Sequence, residues 1–230
     1  MTRSVEPVAS LVHASALMIA CADACGDPCQ WAGLSSVETF VLRNLGNVVP
    51  PCSTHVSSEA ATIEHAVERG QVRDIYICGH THCAAVDGLL KLETSRHVPS
   101  LKNWLQFAGA SVERAKRRVS AGAATDLHEA LVEANVLLQV EHLLTYGAVH
   151  EAVAGNWLQL HACVFDAKND TLSIYDPSLD KFVHWKGDHD SRRHDYRGFD
   201  RRRRPMHDWS GDLSDDSTRN SLPWPSHSAL

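Results

Sequence analysis

The sequence predicts an α/β fold with a mainly parallel central sheet flanked by helices. Three observations lead there. Short apolar runs of strand length recur at residues 16–20, 39–42 and 74–78. Segments with apolar residues three and four positions apart follow them, and strands alternating with helices make a parallel sheet. Residues suited to holding a metal lie at the ends of two of the runs, Cys21 after the first and His80 and Cys83 after the third.

The first run, 16–20, is uniformly apolar and reads as a buried strand ending at Cys21. A loop of small and turn-forming residues occupies 22–36, and the strand at 39–42 leads through Arg43, Asn44 and Gly46 to Pro50 and Pro51. Ser57 or Ser58 can cap a helix that runs to about Arg69 and stops at Gly70. The strand at 74–78 is expected to break at Gly79. Residues 101–110, 112–119 and 126–146 carry helical patterns. In the last, Leu127, Leu131, Val132, Val136, Leu138, Val140 and Leu143 give a broad apolar face. Residues 157–165 and 171–175 read as two more strands joined by the polar turn 166–170.

After Trp185 the composition changes. Residues 186–230 hold nine Lys+Arg against eight Asp+Glu, whereas the preceding 185 residues hold 13 against 20. Apolar residues there are too few to offset the entropy of folding. The expected organisation is therefore a zinc domain at 1–185 and a charged, disordered tail at 186–230, where Trp209 and Trp224 offer a protein partner something to grip. A net charge of −6 argues against nucleic acid as a partner, and the arginines at 201–204 are nearly neutralised by neighbouring acids. No run reaches the roughly 18–20 apolar residues that span a bilayer, so no membrane role is expected. Residues 11–22 could pass for the apolar part of a secretory leader, but the charged segment before it is weak, with Arg3 offset by Glu6, and cleavage there would remove or strand Cys21. Seven cysteines, an odd number spread over an ordinary chain, point to a reducing, cytoplasmic setting rather than a disulfide framework.

Cys21 closes one strand and His80 and Cys83 follow another about 60 residues on. The carboxyl ends of neighbouring parallel strands meet at a crevice where ligands bind. Two thiolates and an imidazole suit Zn2+, and three protein ligands leave a fourth position open for chemistry. A lone His-x-x-Cys is also compatible with core residues, and Cys25, Cys29, Cys52, Cys78 and Cys163 read as core or loop thiols.

Together these segments resemble the β-class carbonic anhydrases. Cys21-Ala22-Asp23-Ala24-Cys25 stands for the family's Cys-x-Asp-x-Arg, and Gly79-His80-Thr81-His82-Cys83 for its Gly-His-x-x-Cys. Phe40, Arg43, Asn44 and Asn47 fall in its Phe-x-x-Arg-Asn-x-x-Asn spacing. Residues 133–140 and 158–166 are similar to its long helix and late strand, so the likeness runs in order over 16–180. The resemblance implies reversible hydration of CO2 to bicarbonate, with zinc on Cys21, His80 and Cys83 and with Asp23 as the catalytic carboxylate. It also implies a homodimer or higher homo-oligomer with the active site near the dimer interface.

This sequence departs from the family where the first motif's Arg is replaced by Cys25, a thiol that cannot form the charged bidentate pair with Asp23. Three expectations follow from the departure. Asp23 swings onto zinc as a fourth ligand, or another cation such as Arg43 or a partner's group replaces the missing one, or Cys25 joins Cys21 or the metal site under oxidation. Val12 stands where plant-type members carry Gln; Met18 and Phe165 stand where the allosteric bacterial type carries Trp and Tyr, leaving Arg43 alone, so no regulatory bicarbonate site is expected. Ala84 and Ala85 replace the usual glycines, and only 20 residues precede Cys21 to form a dimer-embracing arm. Two alternatives to CO2 hydration remain: a zinc-binding but inactive paralogue acting as scaffold or sensor, and a hydrolase of CS2 or COS.

Overall fold

A computed structural model describes residues 14–53, 56–91 and 98–185. The expected tail at 186–230, its proposed partner and the subtype position Val12 lie outside the described residues. So does most of the N-terminal arm.

Among the described residues six strands form one sheet: β1 (Ala16–Cys21), β2 (Thr39–Asn44), β3 (Asp74–His80), β4 (Gln159–Asp166), β5 (Thr171–Asp176) and β6 (Lys181–His184), in the spatial order β2-β1-β3-β4-β5-β6. The first four in that order are parallel, and β5 and β6 return antiparallel. β1 lies between β2 and β3 and all six of its residues are buried, as its unbroken apolar run requires. The hairpins to β5 and β6 turn through left-handed Asp170 and Asp180.

Among the described residues seven α-helices accompany the sheet: α1 (Pro28–Trp31), α2 (Ser58–Glu68), α3 (Ala84–Leu89), α4 (Pro99–Leu105), α5 (Ala110–Ser120), α6 (Leu127–Leu143) and α7 (Gly147–Ala154). The Ser57 side chain accepts the Ala60 N–H at the start of α2, and Asp126 does the same for Glu129 at the start of α6. α6 packs on β3 and β4 and is buried around most of its circumference. α5 runs along it, tied by a two-pronged Arg114–Glu141 bridge with both contacts at 2.7 Å and by Arg118–Glu133 at 2.8 Å. No described helix is long and apolar enough to cross a membrane.

One sequence expectation is corrected at Gly79. The strand does not break there; β3 continues through Gly79 to His80, paired with Val164 and Phe165 of β4. The glycine serves packing instead. A Cβ at Gly79 would meet Val136 Cγ2 at 2.7 Å and Val132 Cγ1 at 3.1 Å, so its absence lets α6 approach the sheet directly behind the last residues of β3. α1, α3, α7 and β6 were not expected from the sequence. Three of them have eight residues or fewer with little periodicity, and β6 is a four-residue edge strand whose residues are exposed or half-buried.

Candidate metal centre

Register places the site. Ala20 of β1 pairs with Cys78 of β3, so Cys21 stands level with Gly79 and beside His80 at the carboxyl ends of two adjacent parallel strands. The chain leaves β3 through Thr81 and the left-handed His82, then reaches Cys83 immediately before α3. Cys21, His80 and Cys83 are all buried. The Sγ atoms of Cys21 and Cys83 lie 3.6 Å apart. Two thiolates sharing a tetrahedral zinc at bonds of about 2.3 Å would stand about 3.8 Å apart.

The His80 ring is oriented for the same centre. Its Nδ1 sits 3.0 Å from the Thr81 carbonyl oxygen, which fixes the proton on that nitrogen. Nε2 is buried and has no partner among the described residues. A buried nitrogen lone pair without a donor is costly, and a metal ion is what removes the cost. One ligand atom each from Cys21, Asp23, His80 and Cys83 fall within 4.8 Å of one another. The donor set of two sulfurs and an imidazole therefore fits zinc.

Cys21 Sγ also accepts the backbone N–H of Gly46 at 3.2 Å and of Asp23 at 3.4 Å. Gly46 and Asn47 take successive left-handed conformations, φ 78° and 46°, which turns the Gly46 N–H onto the sulfur. The Cys83 thiol and these amides draw the Cys21 thiol below its ordinary range against the opposing effect of burial. Cys83 moves the other way, because it shares its proton with Cys21 and is itself buried.

The loop 45–49 is pinned by residues that the sequence did not single out as functional. Asn135 Nδ2 donates to the Gly46 carbonyl at 2.9 Å, Gln139 Nε2 donates to Asn135 Oδ1 at 2.8 Å, and the Val49 N–H donates to Gln139 Oε1 at 2.8 Å. Both side chains are buried. Their signal was present as two polar residues four apart on the apolar face of α6.

Asp23 is exposed, and its Oδ2 accepts the Ala84 N–H at 2.7 Å. Arg43, expected as a substitute cation, does not pair with it. Its guanidinium donates to the carbonyls of Cys21 at 3.1 Å, Gly26 at 3.1 Å and Ala24, bracing the loop after β1. Most of the guanidinium's donors are thus directed at backbone oxygens of that loop rather than at Asp23. Cys25 is exposed and free, while Cys21 is buried against Cys83. Cys29, Cys78 and Cys163 lie in the core, and Cys52 is exposed.

Comparison with known proteins follows this geometry. Residues 16–172 match the family described as carbonic anhydrase. A carbonic anhydrase of Synechococcus elongatus is 34% identical over 177 residues, and one of Pseudomonas aeruginosa 32% identical over 168 residues. The chain belongs to the β-class carbonic anhydrase family. Those alignments cover 76% and 73% of this chain and 65% and 76% of the relatives. The chain thus spans less than two thirds of the Synechococcus protein, and 63% of a Synechocystis carbonic anhydrase that is 33% identical. Among solved structures, the β-carbonic anhydrase CcaA superposes with a TM-score of 0.70 at 32% identity, covering 76% of this chain and 78% of that one. One of two tetrameric β-carbonic anhydrases from Sordaria macrospora superposes with a TM-score of 0.61 at 25% identity, over 74% and 82%. The six-stranded, mostly parallel sheet with flanking helices is the family's architecture.

Proposed function

We propose that this β-carbonic anhydrase family member is a zinc-dependent enzyme that hydrates CO2 reversibly to bicarbonate, with Cys21, His80 and Cys83 as the zinc ligands. The observation that carries the reading is the buried, partnerless Nε2 of His80 gathered with two thiol sulfurs 3.6 Å apart. Zinc in such a site supplies the Lewis acidity that makes a nucleophile available from water at neutral pH.

The chain's own groups do the rest. The Thr81 carbonyl fixes the His80 tautomer, so that Nε2 faces the centre. The Gly46 and Asp23 amides hold the Cys21 sulfur in place and favour its ionised form. Asp23, kept at the rim by the Ala84 N–H, has a second carboxylate oxygen with which to accept a hydrogen bond from the attacking water and so aim its lone pair at the CO2 carbon. The test is stopped-flow CO2 hydration on protein whose zinc content has been measured. Zinc-loaded protein that hydrates CO2 no faster than buffer sinks the proposal.

One observation favours a second reading, in which the site holds zinc but is closed. The Asp23 carboxylate belongs to the group of four within 4.8 Å, and position 25 holds a thiol rather than a cation that would draw it away. Asp23 as a fourth ligand would complete the tetrahedron and leave no place for reacting water. The same rate measurement separates the two readings.

A homo-oligomer is also proposed. β2 is the sheet's open parallel edge, and it carries Val41 45% exposed with Leu45 beside it 42% exposed, a poor surface to leave in water. A second copy of the chain covers such an edge, and sedimentation velocity would detect it. A reducing, cytoplasmic setting is proposed from the odd number of cysteines dispersed along the chain.

A further inference from the structure

Hydration of CO2 yields bicarbonate and a proton, and the proton must reach a base in the solvent before the next turnover. The groups at the centre are already committed: His80 and the two thiols to the metal, and Asp23 to the Ala84 N–H. A second set of titratable side chains lies one helical turn away and has no part in the site described above. The Asp87 N–H donates to the Cys83 carbonyl at 3.0 Å, which places Asp87 one turn along α3 from that ligand. Its Oδ1 lies 3.1 Å from Nε2 of His128, in the first turn of α6. The His82 ring, from the loop between His80 and Cys83, lies 6.2 Å from the His128 ring, with the planes 25° apart.

The cluster reaches from the metal loop to the surface. The His128 side chain is 22% exposed and that of Asp87 50%. His128 Nε2 itself is buried and makes no aligned hydrogen bond, so its link to Asp87 is a charge contact at ion-pair distance. Asp87 from α3 and His82 from the loop face the ring; on α6 itself, the Asp126 carboxylate is occupied by the Glu129 N–H. Imidazole is the side chain whose ordinary range lets it both take and release a proton near neutral pH. With Nε2 turned to a carboxylate, Nδ1 remains to receive a proton, and the imidazolium so formed is held by the opposite charge of Asp87.

We propose that His128, held by Asp87, is the relay that takes the proton released at the metal centre and passes it to buffer bases in the solvent. This rests on the CO2-hydration reading above. One water adds its oxygen and one hydrogen to the CO2 carbon. Its other proton passes through intervening water to His128 Nδ1 and leaves to a buffer base, which becomes that base's conjugate acid. No electrons are exchanged, and no proton is placed on His82. Asp87 is a positioning residue.

A group that only tied α3 to α6 would lower stability on removal and leave the buffer dependence of the rate alone. The experiment therefore uses full-length, zinc-loaded protein, with metal content checked for each variant, and measures CO2 hydration at low and high imidazole. His128→Ala is expected to lower kcat about tenfold at low buffer while kcat/KM is unchanged, and high imidazole is expected to restore kcat. Independently of turnover, NMR titration of the histidine carbons in zinc-loaded protein should show His128 changing protonation between about pH 5 and 8. In Asp87→Asn the low-buffer kcat should fall as well, and high imidazole should restore it.

An unchanged kcat for His128→Ala at low buffer overturns the relay. So does a loss that extends to kcat/KM and resists imidazole, or a His128 that keeps one protonation state throughout the titration. A native protein that holds zinc and hydrates no CO2 overturns the functional reading, and the relay with it.

Discussion

Asp23 and Ala84 are joined at 2.7 Å, carboxylate oxygen to backbone N–H, across 61 residues of sequence. The contact ties the loop after β1 to the residue that follows Cys83, one of the proposed zinc ligands. It gives the Asp23 carboxylate a neutral donor, the backbone N–H of Ala84. A neutral amide restrains a carboxylate less than a guanidinium does.

Cys25→Arg follows from this contact. An arginine there should form the charged pair with Asp23, hold it off the metal and raise the CO2 hydration rate by about tenfold or more, the value of one charge-assisted hydrogen bond. Stopped-flow rates of both proteins at equal zinc content check it. An equal or lower rate in the variant would mean that the Ala84 amide alone suffices.

Zinc retention should depend on His80 more steeply than on its neighbours. His80→Ala removes the nitrogen donor whose Nε2 stands alone. Zinc affinity should fall by more than about 100-fold, beyond the 10- to 100-fold typical of losing a residue that only supports a ligand. Metal analysis after dialysis against a weak chelator reads it, with His82→Ala as the comparison.

Gly79→Ala tests the close approach of α6. The added methyl would sit 2.7 Å from Val136 Cγ2, and a valine on a helix has little rotamer freedom with which to move aside. A loss of about 1–3 kcal/mol in urea unfolding is expected. Combining it with Val136→Ala should return part of that loss; no recovery in the double variant would point to strain in the strand instead.

Stability should fall on the acid side through His142. Burial holds its pKa below 6.5, while its Nδ1 lies 2.7 Å from the Val49 carbonyl. Between the lowered folded value and 6.5, the unfolded chain binds the proton that the folded one refuses, so stability is lost as pH falls through that window. His142→Gln should flatten the drop in melting temperature between about pH 7 and 5. Curves that stay parallel for the two proteins would assign the loss to another group.

What was legible in the sequence was whatever depended on local pattern. The unbroken apolar run of β1 announced a strand buried on both faces, and Ser57 announced the start of α2. The gathering of Cys21, Asp23, His80 and Cys83 in one place was legible through their spacing within motifs. Gly79 was misread, because a glycine that relieves a tertiary clash looks the same in one dimension as one that ends a strand. The role of Arg43 was hidden for a related reason. Its charge suggested a carboxylate partner, yet its position on β2 sets it against three carbonyls of the adjoining loop. Asn135 and Gln139 sat inside an apolar face, and only the fold shows that their partners lie about 90 residues earlier.

The last pair has a consequence for inheritance and engineering. Asn135 and Gln139 act as a splice between two distant stretches of chain, so the amide that steadies Cys21 is set from α6. A graft that moved Cys21, Asp23, His80 and Cys83 into another scaffold would carry the ligands and leave their alignment behind. Conversely, a variant library scored on metal retention should return hits at 135 and 139, positions that a map drawn outward from the ligands would leave blank.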